Sequence, residues 1–400
     1  MGVEEWKECR LGDYCDFQNG YAFKSSEFKT NGEYKIVKIK ELKDGLVKFF
    51  DDSASVDIHD IKEFEKYKIY RNDVLFALTG DPVSKPNPLS WVGRVSIYRS
   101  DENALLNQRT CKIKKSDEID NQFLYYYFRQ WENFYALASK ATGSASQANI
   151  STNTIADTII KLPPLPTQQK IAAILSSLDD KIELNNKINT NLEQQAQALF
   201  KNWFVDFEPF GGKMPEGWKV GKLSDIAEIT MGQSPDGKSY NEDGIGTVFY
   251  QGRAEFGTRF PTRRLFTTEP KRIAKKFDTL MSVRAPVGDT NIANEDCCIG
   301  RGLAAIHSKD NHQSFVHYTV LSLRSQLDVF NGEGTVFGCI NRDALNNMEV
   351  VIPAKDDLDK FEKIVASLDA DIFNRSEEND RLKIIRDTLL PKLMNGEIEV

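Results

Sequence analysis

No stretch of this 400-residue chain holds the roughly 18 consecutive apolar residues that a membrane-spanning helix requires. The opening Met1-Gly2-Val3-Glu4-Glu5-Trp6 is charged, with neither the apolar centre of a signal peptide nor the Ser or Thr of a myristoylation signal. No membrane partner is expected, and a cytoplasmic chain is. Cysteine is scarce: Cys9, Cys15, Cys111, Cys297, Cys298 and Cys339 show no C-x-x-C spacing, so free thiols are expected. Histidine is scarcer still, and His307, His312 and His317, spaced by five, do not share a helical face, so no metal is expected. G-x-S-x-G and H-E-x-x-H are absent. Asp81-Pro82-Val83 and Asn87-Pro88-Leu89 lack the second proline and the aromatic of an amino-methyltransferase motif. The chain is therefore expected to catalyse nothing itself.

One catalytic pattern does occur. Gly232-Gln233-Ser234-Pro235-Asp236-Gly237-Lys238-Ser239 fits the phosphate-cradling G-x-x-x-x-G-K-[ST], after a possible strand at Ile226 to Met231. Tyr240-Asn241-Glu242-Asp243-Gly244-Ile245-Gly246 cannot open the helix whose N-terminus would hold the phosphates. A P-loop enzyme is therefore the third reading.

What the chain has in abundance is repetition. Ile171, Leu175, Leu178, Ile182, Asn185, Asn189, Leu192, Ala196, Leu199 and Trp203 alternate steps of four and three, which is a heptad seam. Shifted by 190, it returns as Phe361, Val365, Leu368, Ile372, Arg375, Asn379, Leu382, Arg386, Leu389 and Leu393. A lone stripe cannot bury itself, so each seam is expected to pack on the other; the alternative is a seam that merely packs on the domains. The first helix spans about 55 Å, whereas the linker Val205 to Gly217 reaches at most about 45 Å. The helices are therefore expected to run antiparallel, with a domain at each end. Asn185 with Arg375 and Asn189 with Asn379 are polar seam pairs suited to fixing register. Pro391 is expected to kink or end the second helix.

The segments between the helices also repeat. Trp6, Lys7, Leu11, Asp13 and Gly20 return 212 residues later as Trp218, Lys219, Leu223, Asp225 and Gly232. Asp73 to Leu78 resembles Asp278 to Val283, 205 residues on. Later in each unit comes a helix candidate (Asp120 to Lys140, Ser314 to Val329), then Gly143-Ser144 or Gly334-Thr335, then a strand into Pro163 or Pro353. Short apolar runs between Gly, Pro, Asn and Asp turns predict α/β domains. The expected organisation is two α/β domains, 1–162 and 211–352, joined by long helices at 163–210 and 353–400 in an antiparallel coiled coil with a pseudo-two-fold repeat.

The net charge of −7 excludes a uniformly basic nucleic-acid binder, but it is uneven: −2 over 1–160, −1 over 161–210, 0 over 211–352 and −4 over 353–400. Between Arg253 and Arg284 nine basic residues face three acidic ones. Such an excess suits phosphates, the alternative being a solvated surface ribbon. Asn107-Gln108-Arg109 supplies two amides suited to adenine and a guanidinium suited to guanine. Ser144, Gln147 and Asn149 lie in a small-residue loop able to approach DNA closely.

These residues resemble the DNA-specificity (S) subunits of type I restriction-modification systems. The likeness is carried by Gln18-Asn19-Gly20-Tyr21-Ala22-Phe23-Lys24-Ser25, Leu106-Asn107-Gln108-Arg109, and Gly143 to Ser151. It continues through Leu162 to Gln169, Phe200 to Phe207, Met214-Pro215-Glu216-Gly217-Trp218 and Leu389 to Glu397. Each motif is loose, but their order spans nearly the whole chain.

The resemblance implies two target-recognition domains in the major groove, reading the halves of an asymmetric bipartite site in double-stranded DNA, with the coiled coil setting the spacer. It implies two modification methyltransferase subunits, which hold S-adenosylmethionine and methylate adenine N6, and, where the system has them, two ATP- and Mg-dependent restriction subunits. No cofactor is expected in this chain. The target adenine must leave the duplex, so the complex has to tolerate base flipping. The expected DNA-facing residues are Lys24, Arg94, Asn107, Gln108, Arg109, Ser144, Gln147, Arg253, Arg259, Arg263, Arg264, Lys275, Arg284 and Arg301. Changing Arg263 and Arg264 together to Ala is expected to flatten the salt dependence of binding by about two units. A coiled-coil adaptor that binds proteins through its domains is the second reading.

Overall fold

The computed structural model describes residues 6–114, 116–331 and 338–400. Two compact units emerge: the described residues up to Glu183 with Asp380–Val400, and Leu184–Asn379.

In the first unit the strand Val74–Ala77, buried at every residue, lies between Val95–Ile97 and Thr110–Ile113, antiparallel to both. Thr110–Ile113 also pairs with Phe17–Asn19. A second sheet joins Tyr34–Val37 and Ala104–Leu106 in parallel. Lys7–Arg10 pairs with Ile159–Leu162, so the opening of the domain is tied to the strand that enters the first long helix. The expected helix from Asp120 to Lys140 is two, Asn121–Arg129 and Trp131–Ala138, because Gln130 is extended (ψ 133°). Asp120 caps the first by accepting from the Phe123 N–H at 2.8 Å.

The second unit repeats the plan. Thr279–Ser282 lies between Leu303–Ser308 and Thr290–Ile292, and Lys219–Lys222 pairs with Glu349–Ile352. The helix expected from Ser314 to Val329 is split into Gln313–Ser322 and Arg324–Asp328. Gly334-Thr335, the expected counterpart of Gly143-Ser144, lies outside the described residues.

The long helices are Leu165–Phe204 and Lys355–Met394. In the first unit Ile171 and Leu175 share a core with Leu393 and Met394; in the second, Ala196 and Phe200 share one with Phe361 and Val365. Start meets end in both, so the pairing is antiparallel. The seam positions Ile171, Leu175, Leu178, Ile182, Asn189, Leu192, Leu199, Val365, Leu368, Ile372, Asn379, Leu382 and Leu389 are all buried or half-buried.

Two expectations need correction. Asn185 does meet its expected partner Arg375, at 3.4 Å, but also bonds Asn379 (2.9 Å) and Glu378 (2.8 Å), while Asn189 bonds Ser376 (3.2 Å) in place of the expected Asn379. Residues equivalent in the repeat face each other only where the pseudo-two-fold passes; elsewhere an antiparallel pair joins unlike positions. Pro391 neither ends the helix nor stops its last turn, and its carbonyl still accepts from the Asn395 N–H at 2.9 Å. So close to the end, a missing N–H removes a single intrahelical bond.

Among the described residues no helix is long and apolar enough to cross a membrane, and no cluster of metal-ligating side chains occurs. All six cysteines are free thiols. Gly237–Ser239 is a single 3-10 turn that runs into the strand Tyr240–Asn241, so no helix N-terminus follows the P-loop pattern.

Candidate nucleic-acid interface

One turn is built twice. In Tyr70-Arg71-Asn72-Asp73 the Asp73 N–H bonds the Tyr70 carbonyl (2.9 Å), the Tyr70 N–H bonds the Asp73 carboxylate (3.0 Å), and Asn72 has φ 72°. Lys275-Lys276-Phe277-Asp278 repeats both bonds at 3.0 and 2.8 Å, with Phe277 at φ 73°. Each turn packs on the long helices of its own unit. Arg71 lies 3.3 Å from Glu183. The Phe277 ring centroid is 5.1 Å from that of Phe373, over which Lys276 Nζ sits at 4.3 Å.

From each turn a four-residue strand, Val74–Ala77 or Thr279–Ser282, carries the chain about 13 Å away. At the far end of the first strand the Leu78 N–H bonds the Arg109 carbonyl and the Leu78 carbonyl accepts from the Ile150 N–H, both at 2.9 Å. The Tyr21 N–H bonds the Leu106 carbonyl (2.9 Å), and the Gly20 N–H bonds the Thr110 carbonyl (3.1 Å). Gln147–Asn149 then pairs with Thr79–Gly80 on one side and Thr142–Ser144 on the other. Five segments thus lie side by side as one edge, where Gln108, Arg109, Ser144 and Gln147 are exposed.

The second unit repeats four of these backbone bonds among its described residues. The Val283 N–H bonds the Gly302 carbonyl (2.9 Å) and the Ile340 N–H bonds the Val283 carbonyl (3.0 Å). The Gln233 N–H bonds the Ile299 carbonyl and the Gly232 N–H the Leu303 carbonyl, both at 2.9 Å. Gly20 and Gly232 are needed for the same reason: a Cβ would lie 2.1 Å from the carbonyl oxygen of Asn107 in one unit and of Gly300 in the other. The backbones match while the side chains do not. Tyr21, Asn107, Gln108 and Arg109 stand where the second edge has Gln233, Gly300, Arg301 and Gly302.

The DNA-facing residues expected from sequence separate accordingly. Gln108, Arg109, Ser144 and Gln147 are on the first edge and Arg284 and Arg301 on the second, all exposed. Lys24 is exposed three residues after Tyr21. Arg109, Arg284, Arg301 and Lys24 have no ion-pair partner among the described residues. Asn107 lies in the first edge and is 7% exposed. Asn149 faces inward, its Oδ1 accepting from Thr79 at 2.9 Å.

The basic stretch from Arg253 to Arg284 is not one patch. Arg259 is 9% exposed and engages Glu193 and Asp369 on the long helices, the latter at 2.5 Å. Arg263 pairs with Glu295 and lies 3.5 Å from Glu377. Arg264 pairs with the buried Glu255 (2.7 Å), a bond that raises its own pKa, and with Glu242 (3.4 Å). Lys275, held 2.9 Å from Asp296 and raised in pKa by that bond, is in the turn at the helix end of the central strand. Arg253 shares Asp289 with Arg324, at 2.5 and 2.8 Å. Arg263 and Arg264 are thus each paired with carboxylates that would compete with a phosphate for them. Arg94 is also turned inward, onto the carbonyls of Leu89 and Ile39, and burial lowers its pKa.

Sequence reading missed Gln233. Its signal was available in the 212-residue offset, which sets Gln233 against Tyr21. It also missed Asp179 and Asp369, whose charge does not reveal that a domain-side tyrosine reaches each.

A sequence model of the family described as "Type I restriction modification DNA specificity domain" matches residues 3–194 and 215–383. The protein assigned as the type I restriction enzyme MjaX specificity subunit of Methanocaldococcus jannaschii is 30% identical over 99% of this chain and 94% of its own. The type I restriction enzyme HindI specificity subunit of Haemophilus influenzae is 27% identical over 67% of this chain and 74% of its own. The type I restriction-modification system S subunit from M. genitalium shares the fold, with a TM-score of 0.64 at 19% identity over 97% of this chain and 96% of that one. With a twice-built edge, paired long helices and a family match in both halves, this chain belongs to the type I restriction-modification DNA-specificity family.

Proposed function

We propose that this chain is the non-catalytic reading subunit of a type I restriction-modification complex. Its domains, 1–162 and 211–352, each read one half of an asymmetric bipartite DNA target, and the long helices, 163–210 and 353–400, set the spacer. The observation that carries this reading is the edge built twice on one backbone scheme with unlike side chains. A repeated scaffold presents two equivalent platforms, and different groups on them read different bases. Gln108 and Arg109 on the first edge, and Gln233, Arg284 and Arg301 on the second, offer amide and guanidinium donors to base edges and phosphates; Lys24 and the hairpin residues Ser144 and Gln147 flank the first.

The long helices suit two copies of one partner. Ile174 and Ile364, 190 residues apart, are 37% and 44% exposed. Ser177 and Ser367 follow them, each bonding the isoleucine carbonyl, at 2.7 and 2.6 Å. Two modification methyltransferase subunits would dock on these faces, bringing S-adenosylmethionine with them, and restriction subunits would bring ATP and magnesium.

The experiment is a methylome. The chain is co-expressed with the modification subunit encoded beside it, in a host without adenine methylation, and modified adenines are mapped. A single motif of two unlike half-sites at fixed spacing is expected. A stable complex that methylates nothing and binds no DNA selectively would show the chain to be a protein-binding adaptor.

A further inference from the structure

Each domain is held on its long helices by the same polar device, and the two copies lie 190 to 192 residues apart in sequence. In the first unit Tyr126, 1% exposed, donates its hydroxyl to Asp179 at 2.7 Å. Arg386 of the second long helix reaches the other Asp179 oxygen at 2.6 Å, and both charged side chains are mostly buried. In the second unit Tyr318, also 1% exposed, donates to Asp369 at 3.0 Å. Here the guanidinium is that of Arg259, 2.5 Å from Asp369 and 3.2 Å from the Tyr318 hydroxyl.

The tyrosine's bond is one of several directional bonds from each domain to the helix pair. Beside it are Arg99 on Asp180 in the first unit and the Ser314 and Phe315 N–H groups on Glu362 in the second. The repeated turns described above add a further contact. Arg71 on Glu183 and Lys276 over the Phe373 ring are again equivalent in the repeat, one an ion pair and one a cation–π contact. Two contacts on one helix face, the aspartate and the residue one turn later, prevent a domain from pivoting about either. Apolar packing alone would hold the domain without fixing its angle, because it lacks direction.

We propose that Tyr126 with Asp179, and Tyr318 with Asp369, are positioning residues that set the angle at which each domain presents its reading edge, and thereby the spacer length the subunit accepts. They act on spacing and leave base identity to the edges. This inference rests on the bipartite reading proposed above.

The test uses the full chain in complex with its modification subunit and the variants Tyr126→Phe, Tyr318→Phe and the double change, which remove one hydroxyl each and keep the aspartate–arginine pairs. Ile36→Val, in a cluster that contains no long-helix residue, serves as a core-weakened control. Methylated motifs are mapped together with melting temperatures. The expected result is unchanged half-sites, with methylation at spacers one base pair longer or shorter rising at least about tenfold in the tyrosine variants and not in Ile36→Val. Spacing as strict as in the unaltered chain, or equal relaxation in Ile36→Val, would overturn the proposal. A wild-type motif that is not bipartite would overturn the functional reading itself, an outcome distinct from either.

Discussion

Gly20 lies so close to Asn107 that a Cβ on the glycine would sit 2.1 Å from the asparagine carbonyl oxygen, and Gly232 stands in the same relationship to Gly300. Neither glycine has a positive φ, so the demand is one of space, not of backbone conformation. Gly20→Ala is expected to push the Asn107–Thr110 turn outward at about 1–3 kcal/mol. Methylation of the target should fall while the complex with the modification subunit persists. Undiminished methylation would show that this turn does not read.

Charge at the two ends of the second domain's central strand should behave oppositely. Arg301→Ala, on the edge and unpaired among the described residues, is expected to reduce the salt slope of DNA binding by about 0.9 if it meets a phosphate. Arg259→Ala should leave the slope unchanged and lower stability by about 2–4 kcal/mol, because Glu193 and Asp369 would then face each other without a cation. Binding titrations at several salt concentrations and a denaturant melt decide both.

At the polar layer of the seam, Asn185→Leu leaves the buried Asn379 carbonyl oxygen without the donor it has at 2.9 Å. A loss of about 1–3 kcal/mol is expected. Adding Asn379→Leu should recover part of it, since the buried Asn379 acceptor is then gone, although Glu378 and Asn186 still lose the donors they have at 2.8 and 2.9 Å. The coupling is read from a double-mutant cycle in thermal melts. Additive losses would mean that the amides do not depend on each other.

His317 is fully buried beside Thr279 Oγ1, 3.2 Å from its Nδ1, and burial holds its pKa well below 6.5. Unfolding frees it to bind a proton that the native state refuses. Its contribution to stability is therefore complete above about pH 6.5 and is lost as pH falls below that value, by up to about 1.4 kcal/mol per pH unit. Denaturant melts at pH 7, 6 and 5 should show the decline, and His317→Leu should flatten it. An equal decline in the variant would place the acid sensitivity elsewhere.

Much of the fold is legible locally. A seam alternating fours and threes is a property of consecutive side chains on a helix, and its return after 190 residues needs no knowledge of contacts. Even the antiparallel direction follows from how far thirteen linker residues reach. The partners across the seam were less legible. Asn185 meets its repeat equivalent Arg375, but Asn189 bonds Ser376 in place of Asn379, because antiparallel pairing joins unlike positions away from the pseudo-two-fold and only the packed register says which.

The charges of the site are legible in composition, whereas their burial and partners are not. Arg259, Lys275, Arg284 and Arg301 are equal as charges in the sequence. Folding sends the first two to the helix end of a strand four residues long, where carboxylates meet them, and the last two to its open end. What the sequence by itself determined is the repeat, the helices and the kinds of groups available for reading, since these depend on spacing and residue type. The tertiary structure alone decided which cations are free and which amides face outward, because a side chain's availability depends on what distant segments bring beside it.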